Sequence, residues 1–179
     1  MPMFVALLRG VNVGTARRVQ MAELRALLSR LGYTGVGTLL NSGNAVFRAG
    51  GGTPAEHAAD ISAALVSELK VAAPVVVKSA GELAAIISEC PIKSAPSGYS
   101  QFLVAFVQEP TALVTLAPIE PLVVPPERFV IGSQAAYLWC ATGIRESKAA
   151  AALLGKAGKS ATTRNWSTVL KLRALASDL

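Results

Sequence analysis

The chain has 179 residues, of which 52% are hydrophobic and 16% are charged. A chain of this length buries about 70% of its unfolded surface, so its core needs no disulfide or metal staple. High apolar content and low charge exclude the collagen-like, coiled-coil and disordered classes. No apolar run reaches the length of a membrane-spanning helix, and the first residues lack the basic head of a signal peptide. We therefore expect a globular cytoplasmic protein that makes no contact with a membrane.

The net charge of +6 is unevenly distributed along the chain. Residues 1–78 carry eight basic and four acidic groups, residues 79–144 carry two and five, and residues 145–179 carry seven and two. Both ends are therefore positive and the middle is negative. A positive field attracts phosphates and other anions, but surface charge also serves solubility, and both interpretations stay open here.

The first half predicts the element order of a ferredoxin-like unit. The elements, in chain order, are a strand at Met3–Leu8, a helix from Met21 to Gly32, strands at Thr38–Leu40 and Ala45–Arg48, a helix from Thr53 to about Lys70, and a strand at Pro74–Lys78. The first strand is an all-apolar run, and the first helix shows leucines at three- and four-residue spacing. Asn41–Asn44 supplies the turn of a hairpin. This order is that of the split βαβ unit.

The second half repeats this rhythm more loosely. The elements are a helix from Ser79 through Ile87, a loop at Pro91–Gly98, a strand at Phe102–Val107, a short helix at Thr111–Leu116, a hairpin of Phe129–Ile131 and Tyr137–Trp139, and helices at about 147–154 and 163–176 around a flexible Gly155–Ser160. We predict an α+β fold of two ferredoxin-like halves packed together, with mixed or antiparallel sheets and helices on one face. The halves are residues 1–78 and residues 79–179, the second ending in two helices.

Several familiar kinds of site are not supported. Gly158-Lys159-Ser160 resembles the end of a P-loop, but Leu153 stands where the motif needs glycine and the preceding segment is helical. His57, the single histidine, has no partner that sequence can place nearby, and we predict that it faces solvent. Cys90 and Cys140 lack the spacing of a metal or redox pair, so we predict buried free thiols and expect neither a metal nor a cofactor.

Polar residues follow the first strand. Arg9 and Asn12 belong to a glycine-containing loop that runs on to Arg17 and Arg18. Glycines let backbone N–H groups approach a ligand, and the guanidinium fork suits phosphate or carboxylate. The alternative is that Asn12 only caps its own backbone. Asn44 lies in the hairpin turn, where turn chemistry alone explains it.

The final predicted helix presents a second group. With Thr163 as its N-cap, Arg164, Thr168 and Lys171 share one face. Because a cation is unfavourable at a helix N-terminus, we expect Arg164 to face an anion or an intramolecular carboxylate. Lys148, at the start of the preceding helix, adds positive charge but cannot form a catalytic dyad with its neighbouring serine.

Six segments, spread over nearly the whole chain, form a specific combination: Val5–Gly14, Met21–Arg25, Leu31–Thr34, Ser42–Phe47, Ser147-Lys148 and Thr163–Val169. Together they resemble DUF1697, a bacterial family of unknown function. The resemblance implies an α+β fold with two ferredoxin-like halves and brings no established activity, cofactor or catalytic residue. The run Thr15–Arg18 departs from the stretch rich in Gly and in Lys or Asn that is usual in the family.

These observations favour an anion-binding protein with a basic pocket between the two termini. Its ligand-binding residues are predicted to be Arg9, Asn12, Asn44, Lys148, Arg164 and Asn165. The expected partner is a phosphate-bearing ligand or nucleic acid, although only 6% of residues are aromatic and no stacking platform is evident. The alternatives are an enzyme acting on an anionic small molecule, or an oligomeric structural or interaction module. A monomer and a homodimer are both compatible with the sequence.

Overall fold

The structure of the chain is a computed structural model that describes residues 1–15, 17–92 and 99–179. The described residues form two compact units. The first unit contains Met1–Leu83 and Lys171–Leu179, and the second contains Ala84–Leu170. Residues 93–98 of the predicted loop at Pro91–Gly98 lie outside the described residues.

The first unit contains a four-stranded antiparallel sheet. Its elements are β1 (Met3–Leu8), α1 (Met21–Arg30), β2 (Thr34–Leu39), β3 (Asn44–Arg48), α2 (Pro54–Leu69) and β4 (Val75–Ser79). The strand order is β2-β3-β1-β4, and every neighbouring pair is antiparallel. Both helices therefore connect strands that are not adjacent, which is the ferredoxin-like arrangement predicted from sequence.

The core of the first unit follows from the alternation of the strands and the spacing of the helical residues. All six residues of β1 are buried, and Phe4, Ala6 and Leu8 share one face of the sheet. Leu24, Leu27 and Leu28 of α1 pack against that face. Both α1 and α2 thus cover the same side of the sheet.

Local signals set the ends of these elements. Thr53 and Glu56 form a reciprocal capping box at the start of α2, with the Thr53 backbone N–H donating to Glu56 Oε2 at 2.7 Å. Strand β2 begins at Thr34, earlier than predicted, because the chain pairs with β3 through a register shift between Thr34 and Gly37. Leu40 belongs to the turn, with a left-handed φ of 57°.

The second unit repeats the strand order of the first. After α3 (Ala80–Ser88), which begins in the first unit, its elements are β5 (Phe102–Val107), a 3₁₀ run (Pro110–Leu122), β6 (Arg128–Ile131), β7 (Ala135–Trp139), α4 (Lys148–Leu154) and β8 (Ala161–Asn165). The sheet order is β6-β7-β5-β8, again antiparallel throughout. The prediction of an α+β fold with two ferredoxin-like halves is confirmed.

Two predicted helices of the second unit differ in the structure. The predicted short helix at Thr111–Leu116 is a longer 3₁₀ run that contains Pro118 and Pro121. Proline lacks the N–H that an α-helix interior needs, whereas short 3₁₀ turns accommodate it.

The predicted start of the final helix, at residue 163, is wrong. Residues Ala161–Asn165 form β8, which pairs with β5, and the helix α5 spans Trp166–Asp178. Asn165, and not Thr163, caps this helix, because its Oδ1 accepts a hydrogen bond from Thr168 N at 2.9 Å. Arg164 therefore lies on a strand, and the predicted helical face shared by Arg164, Thr168 and Lys171 does not exist.

His57 does not face solvent as predicted. Its side chain is 5% exposed, and the Tyr33 hydroxyl is hydrogen-bonded to His57 Nδ1 at 2.9 Å. The imidazole also makes edge contacts with the rings of Phe4 and Phe47. The physical reason is helical spacing: His57 precedes Ile61 by four residues, and both face the core.

Candidate anion-binding site

A basic loop leaves the first sheet at the end of β1. Residues 9–18, called the basic loop below, include three arginines and no acidic residue; Ala16 lies outside the described residues. The backbone adopts the left-handed region at Gly10, Asn12, Gly14 and Arg17, with φ between 52° and 67°. Glycine adopts this region at little cost, and asparagine does so more readily than other residues with a side chain. The loop therefore turns back on itself.

Asn12 holds this loop closed. Its Nδ2 donates to Val19 O and to Asn41 O, each at 2.7 Å, and its Oδ1 accepts from Val19 N at 2.9 Å. The Asn12 backbone N–H donates to Arg17 O at 3.1 Å. Because the Nδ2 and Oδ1 atoms of Asn12 are both hydrogen-bonded, this side chain fixes the shape of the basic loop and joins it to the β2–β3 turn.

Arg9 and Arg17 of the loop lie close enough for their charges to interact. Burial lowers the pKa of Arg9, and the positive charge of Arg17 lowers it further. A Cβ atom added to Gly10 would lie 3.5 Å from Arg17 Nη1, so the Arg17 guanidinium folds back over the loop. Arg17 and Arg18 are exposed, and neither forms an ion pair with any residue that the structure describes. An anion beside the guanidinium groups of Arg9 and Arg17 would offset the repulsion between them.

Asn44 lies beneath this loop rather than on its surface. It is fully buried, and its Nδ2 donates to Leu39 O at 3.0 Å and to Ser42 Oγ at 2.9 Å. Across the sheet Asn44 pairs with Leu7, near the end of β1. The structure thus brings Arg9, Asn12 and Asn44 to one end of the first sheet, with Asn44 holding the turn on which the loop rests.

A methyl group cannot be accommodated at the contact between turn and loop. Gly43 has a φ of 84°, and a Cβ atom there would lie 2.7 Å from both Leu8 Cβ and Val11 Cγ2. The Leu8 backbone N–H donates to Gly43 O at 2.8 Å, which holds the turn against the end of β1. Glycine is therefore required by backbone conformation and by close packing.

The other three predicted site residues belong to the second unit. Lys148 is exposed at the first position of α4, after Ser147, which caps the helix by accepting from Ala150 N. Arg164 and Asn165 end β8, where they pair with Val104 and Leu103 of β5. Because α4 returns the chain from the end of β7 to the start of β8, Lys148 begins its helix near the sheet end where Asn165 lies.

The side chain of Arg164 is only partly accessible to solvent. The side chain is partly buried, its Nη1 donates to Thr163 O at 2.9 Å, and burial lowers the pKa of the guanidinium to about 10. The group stays protonated at neutral pH. Its positive charge is therefore held on β8, in the second sheet.

Sequence reasoning missed one further feature of the second unit. Thr115, Lys156, Ala157, Lys159 and Ser160 line a surface hollow of about 440 Å³, called the Lys156 hollow below. The rejected Gly158-Lys159-Ser160 motif contributes to this hollow. The structure shows that it follows α4 in a 3₁₀ turn at Lys156–Gly158 and not in a phosphate-binding loop after a strand.

The other candidate chemistries are metal binding and thiol reactivity. No group of three or more potential metal ligands occurs among residues 1–15, 17–92 and 99–179. Cys90 and Cys140 are buried and form no disulfide, as predicted, and burial raises the pKa of Cys140 to about 11. Among the helices of these residues, none has the length and apolar character to cross a bilayer.

The fold and the basic loop define a class: an α+β protein of two ferredoxin-like units. The sequence matches the family described as a protein of unknown function, DUF1697, over residues 1–137, and the chain belongs to this family. Its fold is similar to the structure of the conserved bacterial protein SP0830 from Streptococcus pneumoniae, with a TM-score of 0.81 and 22% sequence identity. The similarity covers 98% of each chain. No curated protein matches the sequence.

Proposed function

We propose that this protein binds phosphate-bearing ligands through the basic loop of its first unit. The observation that supports this proposal most directly is the position of Arg17 beside Arg9 and Gly10, in a loop whose shape Asn12 fixes. Two guanidinium groups close together raise the local positive potential, which attracts an anion.

Arginine suits phosphate for geometric as well as electrostatic reasons. The guanidinium offers a planar fork of N–H donors that matches two oxygens of one phosphate group. Arg17 and Arg18 are exposed and adjacent in sequence, so both can reach a ligand that arrives from solvent. Asn12 already holds the loop through three short hydrogen bonds. The conformational entropy that the loop loses on binding a ligand is therefore small.

The cysteines of the second unit support a cytoplasmic location for this protein. The two cysteines are buried and form no disulfide, which is typical of proteins kept in a reducing compartment. We include cytoplasmic location in the proposal on this ground. The contributions of Lys148, Arg164 and Asn165, and the alternatives of an enzyme and of an oligomeric module, stay predictions.

A binding titration tests the proposal. Pyrophosphate binding is measured by calorimetry, and binding of a labelled single-stranded oligonucleotide by fluorescence anisotropy, each at several salt concentrations. We expect saturable binding that weakens as salt rises. The double variant Arg17→Ala/Arg18→Ala is expected to bind pyrophosphate up to about thirtyfold more weakly, since each exposed ion pair contributes up to about 1 kcal/mol and the variant removes two.

A charge-matched control separates the loop from net charge. Arg128 and Arg173 are exposed and lie outside the basic loop, and the variant Arg128→Ala/Arg173→Ala removes the same charge. Equal loss of affinity in both double variants would show that net charge alone attracts the ligand, which contradicts a site. Binding of the oligonucleotide but not of pyrophosphate would exclude a small ligand and favour nucleic acid.

A further inference from the structure

The Lys156 hollow has the size and the charge of a site for a small organic anion. Its volume of about 440 Å³ lies within the range of roughly 300–1,000 Å³ that is typical of small-molecule sites. Its walls are mostly apolar, and the two lysines are its charged lining residues. It belongs entirely to the second unit, so it shares no residue with the basic loop.

The two lysines project from a turn whose backbone is tightly held. Lys159 N donates to Lys156 O at 3.3 Å, and Gly155 N donates to Ala152 O at 3.2 Å. A Cβ atom at Gly158 would overlap the carbonyl oxygen of Leu153, so this turn packs directly against the end of α4. Residues three apart in a 3₁₀ turn lie on the same side, and Lys156 and Lys159 have this spacing.

The charge of these lysines is not neutralised locally. Both side chains are exposed, and neither is ion-paired with a residue in the described part of the chain. Two ammonium groups on one side of a turn match a group that carries two negative charges. A phosphomonoester carries about −1.5 to −2 at neutral pH, whereas a carboxylate carries −1.

The hydroxyl groups of the hollow form an ordered chain. Thr115 Oγ1 donates to Ala112 O at 2.6 Å, and the Thr115 and Ser160 hydroxyl oxygens are 2.7 Å apart. Because the Thr115 proton is already used, Ser160 donates to Thr115, and the lone pairs of Ser160 Oγ are left to accept. This hydrogen bond holds Ser160 beside Thr115 at the edge of the hollow that both residues line.

We infer that the Lys156 hollow is a second ligand site, which binds a small organic phosphomonoester. Lys156 and Lys159 hold the phosphate, and the apolar part of the lining contacts the organic part of the ligand; Ser160, hydrogen-bonded to Thr115, also lines the hollow. This site is independent of the proposed function of the basic loop.

Phenyl phosphate is a suitable probe, because it combines a dianionic phosphate with a compact apolar body. Binding is followed by the amide resonances of Lys156–Ser160 in ¹⁵N-labelled full-length protein. We expect saturable shifts at these residues, and tighter binding of phenyl phosphate than of inorganic phosphate. Lys156→Ala and Lys159→Ala are each expected to weaken binding about fivefold, the upper limit for an exposed ion pair.

Two comparisons make the test decisive. Arg17→Ala/Arg18→Ala is expected to leave the shifts at Lys156–Ser160 unchanged, while the charge-matched variant Lys171→Ala/Arg173→Ala, at exposed positions of α5, is expected to retain the parent affinity. Absence of shifts at these residues, or unchanged affinity in Lys156→Ala/Lys159→Ala, would overturn the inference. Equal affinity for inorganic phosphate and phenyl phosphate would contradict the role given to the apolar walls.

Discussion

Replacing Asn12 by alanine tests the role given to this residue in shaping the basic loop. The substitution removes three side-chain hydrogen bonds of 2.9 Å or less, two of them with the backbone of Val19, which is buried. It also places alanine at a φ of 56°. With about 0.5–1.5 kcal/mol for each of the three hydrogen bonds and about 1 kcal/mol for the left-handed backbone, we expect a loss of about 2.5–5.5 kcal/mol.

Thermal and urea unfolding measure this loss. For a protein of this size, 1 kcal/mol corresponds to about 2–4 °C in Tm, so Asn12→Ala is expected to lower Tm by roughly 5–22 °C. Asn12→Gly keeps the left-handed conformation and loses only the hydrogen bonds, so it is expected to be about 1 kcal/mol more stable than Asn12→Ala. A Tm of Asn12→Ala within about 2 °C of the parent would refute the reasoning.

Three further predictions concern the rest of the molecule. Tyr33→Phe is expected to lower the free energy of unfolding by about 1–3 kcal/mol in urea titrations, because His57 loses its hydrogen bond inside the core; an unchanged midpoint would show that this bond is dispensable. Thr53→Ala is expected to cost about 1 kcal/mol by loss of the helix cap, and hydrogen exchange at the first turn of α2 should quicken, whereas unaltered exchange would contradict the capping role. Burial raises the pKa of Cys140 from 9.0 to about 11, so its contribution to stability is full below pH 9 and is lost as the pH rises toward 11. Iodoacetamide at about pH 8 should therefore leave Cys140 unmodified until the protein is unfolded, and rapid alkylation of the native protein would be inconsistent with this burial.

Regular apolar patterns predicted most of the fold. The uninterrupted run Met3–Leu8 and the leucine spacing of α1 each report burial directly, and both elements occur where they were predicted. His57 carried the same kind of signal, because it is spaced four residues from Ile61, but its polar side chain was given more weight than its position. Tyr33, distant in sequence, supplies a hydrogen bond to the buried ring.

The start of α5 could not be predicted from local sequence. The segment Ala161–Asn165 is mostly polar and lacks strand-like alternation, and it lies at the edge of its sheet. Its strand conformation depends on pairing with β5, whose six residues are all buried. Such tertiary contacts override weak local preferences.

The two candidate sites also differ in whether they can be recognised from the sequence alone. The glycines and arginines of the basic loop are adjacent in sequence, so the loop could be recognised before its structure was known. The Lys156 hollow joins Ser160 to Thr115, 45 residues away, and only the fold brings these two hydroxyl groups together. Comparison with the P-loop motif therefore rejected Gly158-Lys159-Ser160, although Lys159 and Ser160 line the Lys156 hollow.

Amide shift mapping with pyrophosphate tests the central claim most directly. In ¹⁵N-labelled full-length protein, a phosphate-binding basic loop predicts saturable shifts at Gly10, Val13 and Gly14 that are lost in Arg17→Ala/Arg18→Ala and retained in Arg128→Ala/Arg173→Ala. Loop resonances that stay unchanged as pyrophosphate is added at low salt would contradict the account.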